Sequence, residues 1–165
     1  MTIRVVLADD HPTVRAGIRN ILNRAEGIRV VGEAANGGDA LKLARELSPD
    51  VLVLDVEMPE MRGTEVLKRL KREGDLVPIL TLSAYDDRHF ILEMLGNGSN
   101  GYLVKDEAPA VIVQAIRSIS HGEKGWVSNQ VALRIAVWLL EEMPRLLDLD
   151  DRQVAVLEGV QDDLM

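Results

Sequence analysis

The sequence predicts an α/β protein built on a doubly wound sheet of five parallel strands. Short, almost wholly apolar runs of Val, Ile and Leu recur five times, the pattern of strands buried on both faces. Segments with apolar residues at helical spacing separate these runs. Carboxylates stand at the C-terminal ends of two of the runs. An open parallel sheet keeps its ligand crevice beyond those ends.

The strands are expected at residues 3–8, 28–31, 51–54, 77–82 and 101–104. Val14, Ile18, Ile21, Leu22 and Ala25 form the apolar stripe of the first helix. Leu41, Ala44 and Leu47 mark the second, and Val66, Leu67 and Leu70 the third. Ile91, Met94 and Leu95 follow, then Val111, Ile112, Ala115, Ile116 and Ile119. Breakers agree with these limits: His11-Pro12 opens the first helix, and Ser48-Pro49 closes the second. Right-handed crossovers between five such units give the doubly wound sheet. The run Gly96-Asn97-Gly98-Ser99-Asn100 is expected to be flexible.

Past His121-Gly122 the pattern changes. A helix is expected over 130–142, capped by Ser128 and ended by Met143-Pro144. It is apolar nearly all round and calls for burial on the main domain or on a second subunit. Residues 145–165 carry six acids against two arginines.

The 165 residues suit one core domain of about 120 residues and an extra piece. Aromatics are only 3% of the chain, so the core must be aliphatic. The absence of cysteine excludes disulfides, thiolate metal sites and thiol catalysis. No signal-peptide pattern and no apolar run of membrane-spanning length is seen, so a cytoplasmic protein without membrane attachment is expected. A net charge of −8 argues against a general basic surface for nucleic acid.

The chemistry concentrates in the acids. Asp9-Asp10 ends the first strand, and Asp55 ends the third. Three carboxylates in one crevice repel one another unless a cation or protons compensate, which points to a divalent metal site. His11 reads as a solvated residue at the pocket rim and is given no role. Trp126 and Trp138 read as packing anchors.

Asp9-Asp10, Asp55 with Met58-Pro59 and Gly63, Ser83-Ala84, and the run from Gly101 to Asp106 together resemble a response-regulator receiver domain. The resemblance covers residues 1–121 and implies a flavodoxin-like sheet of order 2-1-3-4-5 with a C-terminal helical extension. Residues 122–147 would be a linker with a helix. The tail from Leu149 to Leu157 is similar to the opening helix of the LuxR-type helix-turn-helix domain in the NarL/FixJ group, with Asp150 for Thr and Gln153 for Glu. Residues 148–165 would then begin an output domain that is truncated or degenerate here.

The resemblance implies that Asp55 accepts a phosphoryl group from a sensor histidine kinase or a small phosphodonor. Mg²⁺ would be held by Asp10 and Asp55, by Asp9 partly through water, and by the backbone carbonyl of Glu57. Lys105 would neutralise phosphoryl oxygens, and Ser83 would donate its hydroxyl to another. Tyr102 matches the ring that turns inward with Ser83, and Tyr85 is placed to shade the phosphoryl group. The outcome would be a signalling switch rather than an enzyme, acting through homodimerisation or partner binding. DNA would be reached only through an output domain largely missing from this chain. Two alternatives stand beside it. One is a receiver-like interaction module that is never phosphorylated. The other is a phosphohydrolase of the haloacid-dehalogenase type, disfavoured because Glu57 stands where that family has an acid-Thr pair.

Overall fold

The computed structural model describes residues 1–148 and 150–164. Two compact units are present, Met1–Ser128 and Asn129–Met165.

In the first unit, strands β1 (Ile3–Ala8), β2 (Ile28–Ala34), β3 (Val51–Asp55), β4 (Ile79–Ser83) and β5 (Gly101–Val104) alternate with helices. These are α1 (Pro12–Arg24), α2 (Gly37–Leu47), α3 (Gly63–Arg72), α4 (Arg88–Gly96) and α5 (Ala108–Ser120). A 3₁₀ turn, Lys105–Glu107, joins β5 to α5. All neighbouring strands pair in parallel, and the order is β2-β1-β3-β4-β5-β6. The expected order therefore holds for five strands, but the sheet has a sixth.

That strand, β6 (Trp126–Val127), pairs with Gly101 and Tyr102 along the outer edge of β5. Two residues are too few to show a period, so β6 has no signal in the apolar pattern. Gly101 makes it possible. A Cβ there would lie 2.7 Å from the Trp126 carbonyl oxygen, closer than any side chain tolerates. Ser128 belongs to this strand end rather than to a cap. Its N–H donates to the Tyr102 carbonyl at 3.3 Å, and its buried hydroxyl makes no hydrogen bond.

Strand alternation divides the core. Val5, Leu7, Val51, Val53, Leu80, Leu82 and Leu103 pack with Ile18 and Leu22 of α1 and with Ile112, Ala115, Ile116 and Ile119 of α5. Every residue of β3 is buried, as a central parallel strand requires. The 96–100 segment is not loose. Ser99 Oγ lies 2.8 Å from Thr81 Oγ1 and donates to the Gly101 carbonyl, while Asn100 Oδ1 accepts from the Ile79 N–H. Ser99 and Asn100 turn inward onto the first half of β4 and hold a segment whose composition alone suggests freedom.

The second unit is a pair of helices, α6 (Asn129–Leu147) and α7 (Asp151–Leu164). α6 runs through Pro144, where the sequence predicts an end. A proline removes one donor, and a helix survives that loss when packing compensates. Leu140 and Pro144 line a small cavity with Val154 and Leu157 of α7, and Gln161 Nε2 donates to Glu141 Oε1 at 3.0 Å.

α7 opens with a reciprocal cap. The Gln153 N–H donates to Asp150 Oδ1 at 2.9 Å, and the Asp150 N–H donates to Gln153 Oε1 at 3.1 Å. The two departures from the Thr-x-x-Glu pattern thus preserve the box chemically. Leu149, the first residue of the tail pattern, lies outside the described residues.

Candidate functional site

The C-terminal ends of β1, β3 and β5 bring Asp9-Asp10, Asp55 and Lys105 together. Asp9 is fully buried, and Asp55 is 2% exposed. Lys105 Nζ lies 2.8 Å from Asp9 Oδ2 and donates to Asp55 Oδ2 at 2.9 Å. Asp55 Oδ1 accepts from the Glu57 N–H at 3.2 Å, which orients the carboxylate from the chain that follows it.

That following chain, residues 56–62, is anchored by two glycines. A Cβ on Gly63 would meet the Asp55 carbonyl oxygen at 2.1 Å, and one on Gly37 would meet the Met61 carbonyl oxygen at 1.9 Å. Neither glycine has positive φ; both are needed for close approach of backbone to backbone. The Gly63 N–H also donates to the Val56 carbonyl at 2.9 Å. Glu60 takes the turn with φ 68°. The Glu57 side chain points away into an ion pair with Arg62 at 2.8 Å.

Electrostatics follow from burial. Desolvation pushes the Asp55 carboxyl up to about 6, with Asp9 adding to the rise and Lys105 opposing it. Burial acts downward on Lys105, but its contacts with Asp9 and Asp55 outweigh it, so the net shift is upward. Near neutral pH Lys105 and Asp55 face each other as ammonium and carboxylate.

His11 joins this cluster, which its expected place at the rim did not suggest. Nδ1 lies 3.0 Å from Asp10 Oδ1, 3.2 Å from Asp9 Oδ1 and 3.3 Å from Lys105 Nζ. One donor atom each from Asp9, Asp10, His11 and Asp55 lies within 4.8 Å of all the others. The sequence signal was present in its position: Pro12 fixes the preceding residue in extended backbone at the mouth of the crevice.

Ser83 and Tyr102 form a second group on β4 and β5. Ser83 Oγ accepts from the Tyr85 N–H at 3.0 Å. Tyr102 is fully buried, and its hydroxyl donates to the Tyr85 carbonyl at 2.6 Å. Burial pushes its phenol up to about 12, only partly offset by a hydrogen bond with Ser83, so it stays a donor. The Tyr85 ring is half exposed and stacks on Phe90 with centroids 5.1 Å apart.

The arrangement offers hard oxygen donors, one buried carboxylate at the end of β3 and one ammonium held between it and Asp9. Asp9 Oδ2 and Asp10 Oδ1 are buried and make no aligned hydrogen bond; Lys105 Nζ lies 2.8 Å from the first and His11 Nδ1 3.0 Å from the second. Such oxygens suit a small divalent cation.

Comparison with known proteins agrees with this geometry. A family model described as the response regulator receiver domain matches residues 5–117. The response regulator GacA of Pseudomonas aeruginosa is 38% identical over 135 residues, which cover 82% of this chain and 63% of that protein. The chain thus spans less than two thirds of GacA's length. UvrY of Escherichia coli is 36% identical over 159 residues, covering 94% of this chain and 72% of that protein. Among solved structures, a two-component response regulator of the LuxR family from an Aurantimonas species has a TM-score of 0.76 at 36% identity, over 82% of this chain and 96% of that one. Among the described residues no helix is long and apolar enough to cross a membrane. This chain belongs to the response regulator receiver family.

Proposed function

We propose that Asp55 is the phosphoacceptor of a two-component signalling switch. The observation that carries this is the buried Asp55 carboxylate facing both Lys105 and the Asp9-Asp10 pair. Asp55 is ionised near neutral pH, and one of its oxygens attacks phosphorus. An O–P bond forms as the P–N bond of a kinase phosphohistidine, or the P–O bond of a small phosphodonor, breaks. The leaving group keeps the bonding electrons, and the product is an acyl phosphate.

The donor set fits Mg²⁺, which Asp9, Asp10, Asp55 and the Glu57 carbonyl would hold. Bound there, the ion supplies positive charge to phosphoryl oxygens. Lys105, in contact with both Asp9 and Asp55, supplies a further positive charge. The Ser83 hydroxyl, which accepts from the Tyr85 N–H, would turn its hydrogen from Tyr102 to a phosphoryl oxygen. Ser83, Tyr85 and Tyr102 are joined by hydrogen bonds, so a pull on Ser83 is felt at Tyr102. The shift changes the α4–β5–α5 face and with it homodimerisation or partner binding.

In this reading residues 1–121 are the receiver, 122–147 a linker with a helix, and 148–165 the beginning of a helix-turn-helix output domain. The partners are a sensor histidine kinase and a second copy of the chain, and the protein acts in the cytoplasm. Transcriptional control through DNA belongs to the longer protein. The chain itself takes up and loses one phosphoryl group and turns over no other substrate. The experiment is phosphorylation of wild type and Asp55→Asn by acetyl phosphate, with and without Mg²⁺. Equal labelling of the variant would remove Asp55 from this role.

A further inference from the structure

We propose that His11 is an additional metal ligand, and that it makes the acid cluster favour first-row transition dications over Mg²⁺. The inference rests on the reading of that cluster as a dication site. Its geometry is specific. His11 Nδ1 lies 3.0 Å from Asp10 Oδ1 and 3.2 Å from Asp9 Oδ1. Neighbouring donors around an octahedral ion with bonds of about 2.1 Å stand about 3.0 Å apart. The imidazole nitrogen thus stands at the spacing of a neighbouring ligand from each of the two carboxylate oxygens.

The position is fixed by the backbone. The His11 N–H donates to Asp9 Oδ1 at 2.8 Å, and Pro12 holds His11 extended. The ring is otherwise free to adjust, because its side chain is 61% exposed. A second observation points to a cation. Asp9 is wholly buried, yet among the described residues its Oδ2 makes no aligned hydrogen bond and faces the ammonium of Lys105 at 2.8 Å. That ammonium also lies 3.3 Å from His11 Nδ1, so one positive charge is already shared among these donors.

Ligand chemistry sets the preference. Carboxylate and carbonyl oxygens alone suit Mg²⁺, whereas imidazole nitrogen suits Co²⁺, Ni²⁺ and Zn²⁺. Replacing one water of an oxygen shell by Nδ1 strengthens binding of the transition ions far more than of Mg²⁺.

Calorimetric titration of wild type, His11→Ala and Asp10→Asn with Co²⁺ and with Mg²⁺ tests this, together with visible absorption of bound Co²⁺. In wild type, Co²⁺ should bind at least tenfold more tightly than Mg²⁺, and excess Mg²⁺ should displace it. His11→Ala should weaken Co²⁺ at least tenfold, change Mg²⁺ less than twofold and alter the Co²⁺ spectrum. Unchanged Co²⁺ affinity in His11→Ala with Mg²⁺ binding intact would overturn the role of His11 alone. Co²⁺ that Mg²⁺ does not displace would do the same, since it would sit at His89, His121 or the amino terminus. Mg²⁺ binding that is absent in wild type, or indifferent to Asp10→Asn, would overturn the dication site itself.

Discussion

Lys105 Nζ and Asp55 Oδ2 meet at 2.9 Å although their strands, β5 and β3, are separated by β4. A single side chain therefore joins the Asp55 carboxylate to the strand that carries Tyr102. Charge balance at Asp55 and the end of β5 are thus linked through one residue.

Asp55 sets a pH dependence of stability. Burial pushes its carboxyl up to about 6 in the fold, against about 3.8 for an ordinary aspartate. The folded state holds the proton more tightly, so this contribution is full below about 3.8 and is lost as pH rises to about 6. Without divalent cation, Asp55→Asn should match wild type near pH 4 and exceed it by about 2 kcal/mol at pH 7. Urea unfolding at both pH values measures this, and a constant difference would contradict the burial argument.

Lys105→Ala removes the cation shared by Asp9 and Asp55. The apo domain should lose about 3 kcal/mol, because buried charges are left uncompensated. Mg²⁺ should bind several-fold more tightly, since no ammonium competes for the same oxygens. The variant should accept a phosphoryl group but fail to convert it into a change of self-association. Calorimetry and sedimentation of the labelled protein read these outcomes, and unaltered coupling would take Lys105 out of the switch.

Two glycines should answer oppositely to alanine. Gly63→Ala drives a Cβ into the Asp55 carbonyl and should cost about 3 kcal/mol and distort the site. Gly17 sits within α1 with nothing within 4 Å of a built Cβ. Gly17→Ala should stabilise by about 0.5–1 kcal/mol through helix propensity. Thermal melting of the two variants distinguishes close approach from mere flexibility as the reason for each glycine.

Tyr102→Phe deletes the donor to the Tyr85 carbonyl. The expected loss is about 1 kcal/mol, with faster amide exchange confined to residues 84–88. Exchange unchanged in that loop would separate Tyr102 from it.

The sheet and the acid cluster were legible because both are written in local pattern. Strands buried on two faces are continuous apolar runs, and the chemistry sits where those runs end. What escaped was non-local. β6 exists because Gly101 leaves room for the Trp126 backbone, a relation between positions 25 residues apart. The order of segment 96–100 depends on Ser99 and Asn100 reaching β4. His11 was set aside because an exposed histidine has no periodic signature; only the turn made by Pro12 brings its ring back over Asp9 and Asp10. The continuation of α6 through Pro144 needed α7 to be visible.

Intact-mass measurement after incubation with acetyl phosphate tests the central claim most directly. Wild type should gain one phosphoryl group, about 80 Da, only with Mg²⁺, and Asp55→Asn should gain none. A wild-type chain that stays unlabelled beside a receiver that labels would contradict the account and favour a module that signals by binding alone.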